Sequence, residues 1–188
     1  MLVATTKQEF LTFILGKEEF GVEIQRVQEI RGWEKPRPLP NVPVYVKGVI
    51  DLRGTVVPII DLRERFKLPA SYGGTTVVIV VHVITSLGER IVGLVVDAVS
   101  DVHSFDMSSL QPPPDISASL DNQFMLGLTS IKPEEAQSAA GNVNSNAEDK
   151  PTKSRMVILV DLDKLASDGL IEKIDENEED ENLPVRNG

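Results

Sequence analysis

Apolar residues recur along this chain in short, Val- and Ile-rich runs: Glu9–Leu15, Glu19–Ile24, Val27–Trp33, Val44–Leu52, Thr55–Ile60, Thr76–Ile84, Arg90–Val96, Val99–Phe105, Phe124–Ile131 and Arg155–Val160. Residues of this kind, broken at regular intervals by Gly, Pro and polar positions, predict strands, and their spacing predicts an all-β barrel or sandwich. Gly16-Lys17-Glu18 and Ser86-Leu87-Gly88 predict hairpin turns. Pro36, Pro38, Pro40 and Pro43 predict an extended connector that no central strand would accept. Helix is expected only in a short turn after Asp61 and from about Asp163 to Ile174, each introduced by a carboxylate that can cap free amides.

A weak internal repeat relates these strands. Phe20-Gly21-Val22-Glu23-Ile24-Gln25-Arg26-Val27-Gln28-Glu29-Ile30 matches Val92-Gly93-Leu94-Val95-Val96-Asp97-Ala98-Val99-Ser100-Asp101-Val102 in apolar pattern. Gly48-Val49 then corresponds to Gly127-Leu128, and Val57-Pro58-Ile59-Ile60-Asp61-Leu62 to Val157-Ile158-Leu159-Val160-Asp161-Leu162. The expectation is two similar small barrels, intertwined in one unit over residues 8–174, because either barrel alone would be marginal. The second copy replaces the tight Arg53-Gly54 turn with the polar stretch Lys132–Ser154, expected to be a disordered loop; residues 175–188 are expected to form a flexible acidic tail.

The Arg53-Gly54 turn joins two apolar runs, so a two-residue hairpin is expected, with Gly supplying a positive φ and Arg53 standing proud of the sheet. A guanidinium held this way suits a forked pair with a partner's carboxylate, a geometry for docking rather than catalysis.

Composition narrows the chemistry. The 188 residues carry a formal charge of −10 and no cysteine, which excludes disulfides, thiol catalysis and Cys-ligated zinc. Glu172–Glu181 holds seven acidic residues against Lys173, so much of the charge is local. Aromatic content of 5% and net acidity disfavour a nucleic-acid groove; Trp33 and Phe13 are expected to fill core or interface, and Arg31, Lys35, Arg37 and Lys47 to be solvated. The longest apolar run, Val77–Val83, is too short to cross a bilayer, and a cytoplasmic location without membrane insertion is expected. His82 and His103 lie in no catalytic or zinc pattern. Asp61 and Asp161 are expected to cap turns. A competing enzyme reading would need Asp97, Asp101, Asp161 and Asp163 to converge, without calcium-loop or glycosidase context to support it. No catalytic residue, cofactor or metal site is expected.

Phe20-Gly21, Val27-Gln28-Glu29-Ile30-Arg31-Gly32, Gly48-Val49-Ile50-Asp51-Leu52-Arg53-Gly54 and Pro58-Ile59-Ile60-Asp61-Leu62-Arg63, in that order, closely resemble the CheW family of chemotaxis coupling proteins, over roughly Gln8 to Ile174. The resemblance implies two five-stranded SH3-like barrels and a non-catalytic cytoplasmic adaptor. Such an adaptor links the cytoplasmic tips of methyl-accepting chemotaxis receptors to the regulatory domain of the histidine kinase CheA, with ring contacts between CheW-like chains also implied. Carried over by position, the receptor-facing residues are Arg53, Val27, Val99 and Val102, and the kinase-facing residues are Ile24, Glu29, Gln111 and Ile116. Family members can carry Arg and Phe where this chain has Gln111 and Ile116. Gly48 and Gly54 would act through the backbone geometry of the binding hairpin.

Overall fold

The computed structural model describes residues 6–85, 88–112, 124–131 and 155–166. Ten strands carry the fold: β1 Lys7–Leu15, β2 Glu18–Glu23, β3 Val27–Gly32, β4 Val46–Leu52, β5 Thr55–Asp61, β6 Val77–Thr85, β7 Gly88–Val96, β8 Ala98–Asp106, β9 Met125–Ile131 and β10 Arg155–Val160. Two short helices follow β5 and β10: α1 Leu62–Arg65 and α2 Leu162–Ala166. Each expected strand is present. β4 starts two residues late because Pro43 C=O accepts the Val46 amide in a turn, and Ile24 leaves β2 to begin a 3-10 turn over Ile24–Arg26. The Lys132–Ser154 loop, the tail, the helix beyond Ala166 and the centre of the Ser86–Gly88 turn lie outside the described residues.

The strands form two five-stranded sheets, ordered β8-β1-β2-β10-β9 and β3-β6-β7-β5-β4. Under the sequence repeat these orders superpose strand for strand, but each sheet takes its first hairpin from one copy and its other three strands from the other. The exchange creates two parallel pairings in otherwise antiparallel sheets, β2 with β10 (Phe20 opposite Ile158) and β5 with β7 (Ile60 opposite Leu94).

Exchange explains why the central strands read as nearly unbroken apolar runs. In β6, Val78 and Val80 fill the interior of their own barrel, while Ile79, Val81 and Val83 point into a cluster shared by both sheets. In β10, Val157 and Leu159 fill the other barrel, and Ile158 and Val160 join the shared cluster. A strand buried on both faces has no polar side to show. Phe20 stacks between Phe13 and Phe66, at 6.1 and 5.6 Å between ring centroids, and so ties β1 and β2 to the residue that caps α1. Trp33, which stacks on Tyr72 at 4.4 Å, packs against the second sheet's barrel, so both it and Phe13 are fillers as expected.

Candidate functional site

The β4–β5 hairpin turns through Arg53 and Gly54 with φ of +52° and +87°, both left-handed, and the Asp51 carboxylate accepts the Gly54 amide at 2.8 Å. This is the tight turn expected, although Arg53 itself also adopts positive φ. The Arg53 side chain is 75% exposed, and its Nη2 donates to Glu29 Oε1 on β3 at 2.6 Å. The structure thus brings together two residues that the resemblance assigns to different partners. An exposed pair of this kind is worth about 0–1 kcal/mol, so an incoming carboxylate can compete for the guanidinium at small cost.

Gly48 holds this hairpin from behind. At φ +136° it lies against the proline connector, where a Cβ would stand 1.9 Å from the Arg37 carbonyl oxygen. That approach permits the reciprocal bonds Arg37 N to Val49 O (2.9 Å) and Val49 N to Arg37 O (2.8 Å). Gln111 makes the corresponding clamp on Leu128 beside Gly127, at 2.9 and 2.8 Å. Gln111 is exposed, and its role in the clamp is through its backbone. Ile116 lies outside the described residues.

Val27 and Val99 occupy matching places in the repeat, each at the start of an outer strand, half-buried and packed on the shared cluster. Ile24 borders the same cluster. Val102 on β8 is 44% exposed, and so is Ile30, its counterpart on β3. Sequence reasoning passed over Ile30, though the repeat itself pairs it with Val102. The outer strands therefore present the same half-buried and exposed apolar sequence twice, and the cationic tip reaches one of them, β3, through Glu29. Full burial of such a side chain contributes about 1.5–3 kcal/mol, and these half-covered ones roughly half that.

The four acidic residues do not gather in one cleft: Asp161 and Asp163 line a common pocket with Glu23, and Asp97 and Asp101 are not part of it. Asp61 accepts the Arg63 amide at 3.0 Å and Asp161 the Lys164 amide at 3.1 Å, both as helix caps. Asp97 and Asp163 are each consumed in an ion pair at a different seam between the sheets, with Arg63 at 2.8 Å and Arg26 at 2.8 Å. Arg63 is fully buried, with Asp61 on Nε and Nη2, Asp97 on Nη1 and the Tyr72 ring 4.9 Å away. Its hydrogen bonds to Asp61 and Asp97 hold it protonated against the pull of burial. Among the described residues no group of three or more His, Asp or Glu side chains is placed to hold a metal ion. His82 Nδ1 lies 3.0 Å from Glu89, and His103 tilts against Phe105. Of the four basic residues expected to be solvated, Lys47 is instead largely covered and pairs with Glu64, and Arg31 lies 3.9 Å from Glu34.

Neither seam was anticipated, though the sequence held a signal: Asp61-Leu62-Arg63 and Asp161-Leu162-Asp163 repeat one motif with its third charge inverted. No helix among the described residues is long and apolar enough to cross a membrane.

The family model for the CheW-like domain matches residues 9–169. The chain is 41% identical over 164 residues to the chemotaxis protein CheW of Klebsiella aerogenes, covering 87% of this chain and 84% of that protein. It is 42% identical over 125 residues to the chemotaxis protein CheW of Rhizobium meliloti, covering 66% and 79%. The crystal structure of the scaffolding protein TtCheW from Thermoanaerobacter tengcongensis superposes with a TM-score of 0.65 at 28% identity, covering 84% of this chain and 86% of that one. With two five-stranded sheets in this order and a family match that runs from β1 past α2, the chain belongs to the CheW-like domain family.

Proposed function

We propose that this chain is a non-catalytic chemotaxis adaptor, recruited from the cytoplasm to membrane-associated arrays, where it couples receptor tips to the histidine kinase CheA. The observation that carries the reading is the exposed Arg53 on its tight turn, in contact with Glu29 on β3, together with matched apolar positions on two outer strands, in a chain of the CheW-like family. An amphipathic receptor helix would lay its apolar face on Val27, Val99 and Val102 and offer a carboxylate to Arg53. Ile24 and Glu29 would meet the regulatory domain of CheA on one side, and Gln111 and Ile116 on the other, so that like barrels alternate head to tail in a ring. The Glu29–Arg53 contact links the two events, since whatever draws Glu29 away frees the guanidinium.

The test is receptor-dependent CheA autophosphorylation in a reconstituted mixture, comparing the parent with a folded Arg53→Glu variant. Stimulation by the parent and its loss in the variant is the expected result. Equal stimulation by both removes Arg53 from the site, and a parent that neither binds nor stimulates removes the adaptor reading.

A further inference from the structure

The chain passes from one sheet to the other at two places: through Ile24–Arg26, between β2 and β3, and at Asp97, between β7 and β8. Each crossing leads into one of the matched valines, Val27 or Val99. Each is also pinned by a single charged side chain. Asp97 is held by Arg63 of α1, and its Oδ2 accepts the Gly16 amide at 2.6 Å. Arg26 is held by Asp163 of α2 in a forked pair at 2.8 and 3.2 Å, and Asp163 Oδ1 accepts the Ile84 amide at 2.9 Å. In both seams the carboxylate also accepts an amide near the end of a hairpin, Gly16 of β1–β2 or Ile84 of β6–β7, but the charges are exchanged between crossing and helix.

The two pins differ in rigidity. Asp97 is 27% exposed, but its partner Arg63 is sealed from solvent and shared between two carboxylates, so the crossing before Val99 is anchored from the buried side. The Arg26 and Asp163 side chains are 26% and 36% exposed, with Glu23 at 3.8 Å the only other ion-pair contact described. Asp163 stands on a firm post, because Leu162, Leu165 and Ala166 of α2 are buried in the shared cluster. At the crossing before Val27, beyond the packing of Ile24 and Val27, both partners of the charged pair are within reach of water and salt.

We propose that the Arg26–Asp163 pair is a strut that sets the position of Val27 relative to Val99, and so the spacing of the two outer strands between which a partner helix would lie. Arg26 and Asp163 are positioning residues that need not touch the partner. The inference rests on the proposed receptor role of Val27 and Val99, but its test does not require a receptor.

The chain has no cysteine, so Gln28→Cys and Ser100→Cys place spin labels at exposed, matching positions next to the two valines. Pulsed dipolar spectroscopy on the full chain then reads their separation. Asp163→Asn keeps an acceptor for the Ile84 amide while removing the charge, and is expected to shift the mean distance by about 1–2 Å or broaden its distribution. Arg26→Gln should do the same, and the double variant no more than either alone. Arg31→Gln, which breaks a pair off the crossing, should leave the distribution parental. A parental distribution in Asp163→Asn and Arg26→Gln overturns the strut, as does an equal shift in Arg31→Gln. If the distance moves while receptor-dependent CheA stimulation stays parental, the strut stands and the placement of the receptor at Val27 falls.

Discussion

Replacing Gly48 with alanine tests how the binding hairpin is held. The three atoms nearest to an added Cβ are all backbone: Arg37 O at 1.9 Å, Arg37 C at 2.6 Å and Pro38 Cα at 3.0 Å. None of these can rotate aside. To restore even a tight contact near 3.0 Å, the connector must retreat by roughly 1 Å, which stretches the 2.8 and 2.9 Å bonds between Arg37 and Val49 to lengths that no longer count as hydrogen bonds. Losing both costs about 1–3 kcal/mol, and holding alanine at φ +136° costs about 1–3 kcal/mol more. The expected loss of about 2–6 kcal/mol is a large part of the roughly 5–15 kcal/mol available to a domain. Gly54→Ala is the matched control, since Gly54 also has positive φ, +87°, but a Cβ there meets open space, leaving only the backbone term. Urea unfolding followed by far-UV circular dichroism compares the two. If Gly48→Ala costs no more than Gly54→Ala, the close approach of the connector is not what requires glycine, and the reasoning fails.

Gly93→Ala should destabilise by about 1–3 kcal/mol through overpacking, because its Cβ would stand 2.6 Å from Ile59 Cδ1 and 2.8 Å from Val78 Cγ1. Ile59→Val removes the nearer atom, so the double variant should unfold at higher urea than additivity allows; strict additivity would refute the contact. Burial and the adjacent Asp61 charge raise the Tyr72 pKa above its ordinary value of 10.0. Its neutral form is therefore favoured in the fold: the contribution is fully present below the unfolded pKa and is lost as pH rises through the folded one. With two tyrosines in the chain, phenolate absorbance of the parent against Tyr72→Phe isolates it, and titration of Tyr72 at or below 10 would contradict the placement. A chain divided in the connector between Leu68 and Thr76 should give two fragments that fold only when mixed, since each sheet draws strands from both; a cooperative transition in either fragment alone would count against the exchange.

The central strands were legible because burial on both faces leaves a dense apolar signature that needs no knowledge of partners. Their pairing was not. β2 and β10 meet across most of the chain's length, and the repeat states which strands correspond without stating which hairpin belongs to which sheet. The exposure of Arg53 followed from the turn chemistry around Gly54, a local matter. Its contact with Glu29, 24 residues away, depends on how β3 passes the hairpin tip. Arg63 is the sharpest miss: an arginine just inside a short helix ordinarily faces water, and its burial becomes affordable only because Asp61 and Asp97 arrive from either side.

Synthesis proceeds from the amino terminus, and β1 and β2 leave the ribosome first. Their neighbours in the finished sheet are β8, β9 and β10, the last strands to appear. Until Val157 and Leu159 emerge, Phe10 has no completed barrel to enter. The hairpin must wait until β10 has been made, with Phe10 and an unpaired edge available to any other nascent chain. Folding is thus a late, whole-chain event governed by distant contacts and placed in the slow class for its size, and a cell making this protein in quantity depends on whatever shields that hairpin in the interval.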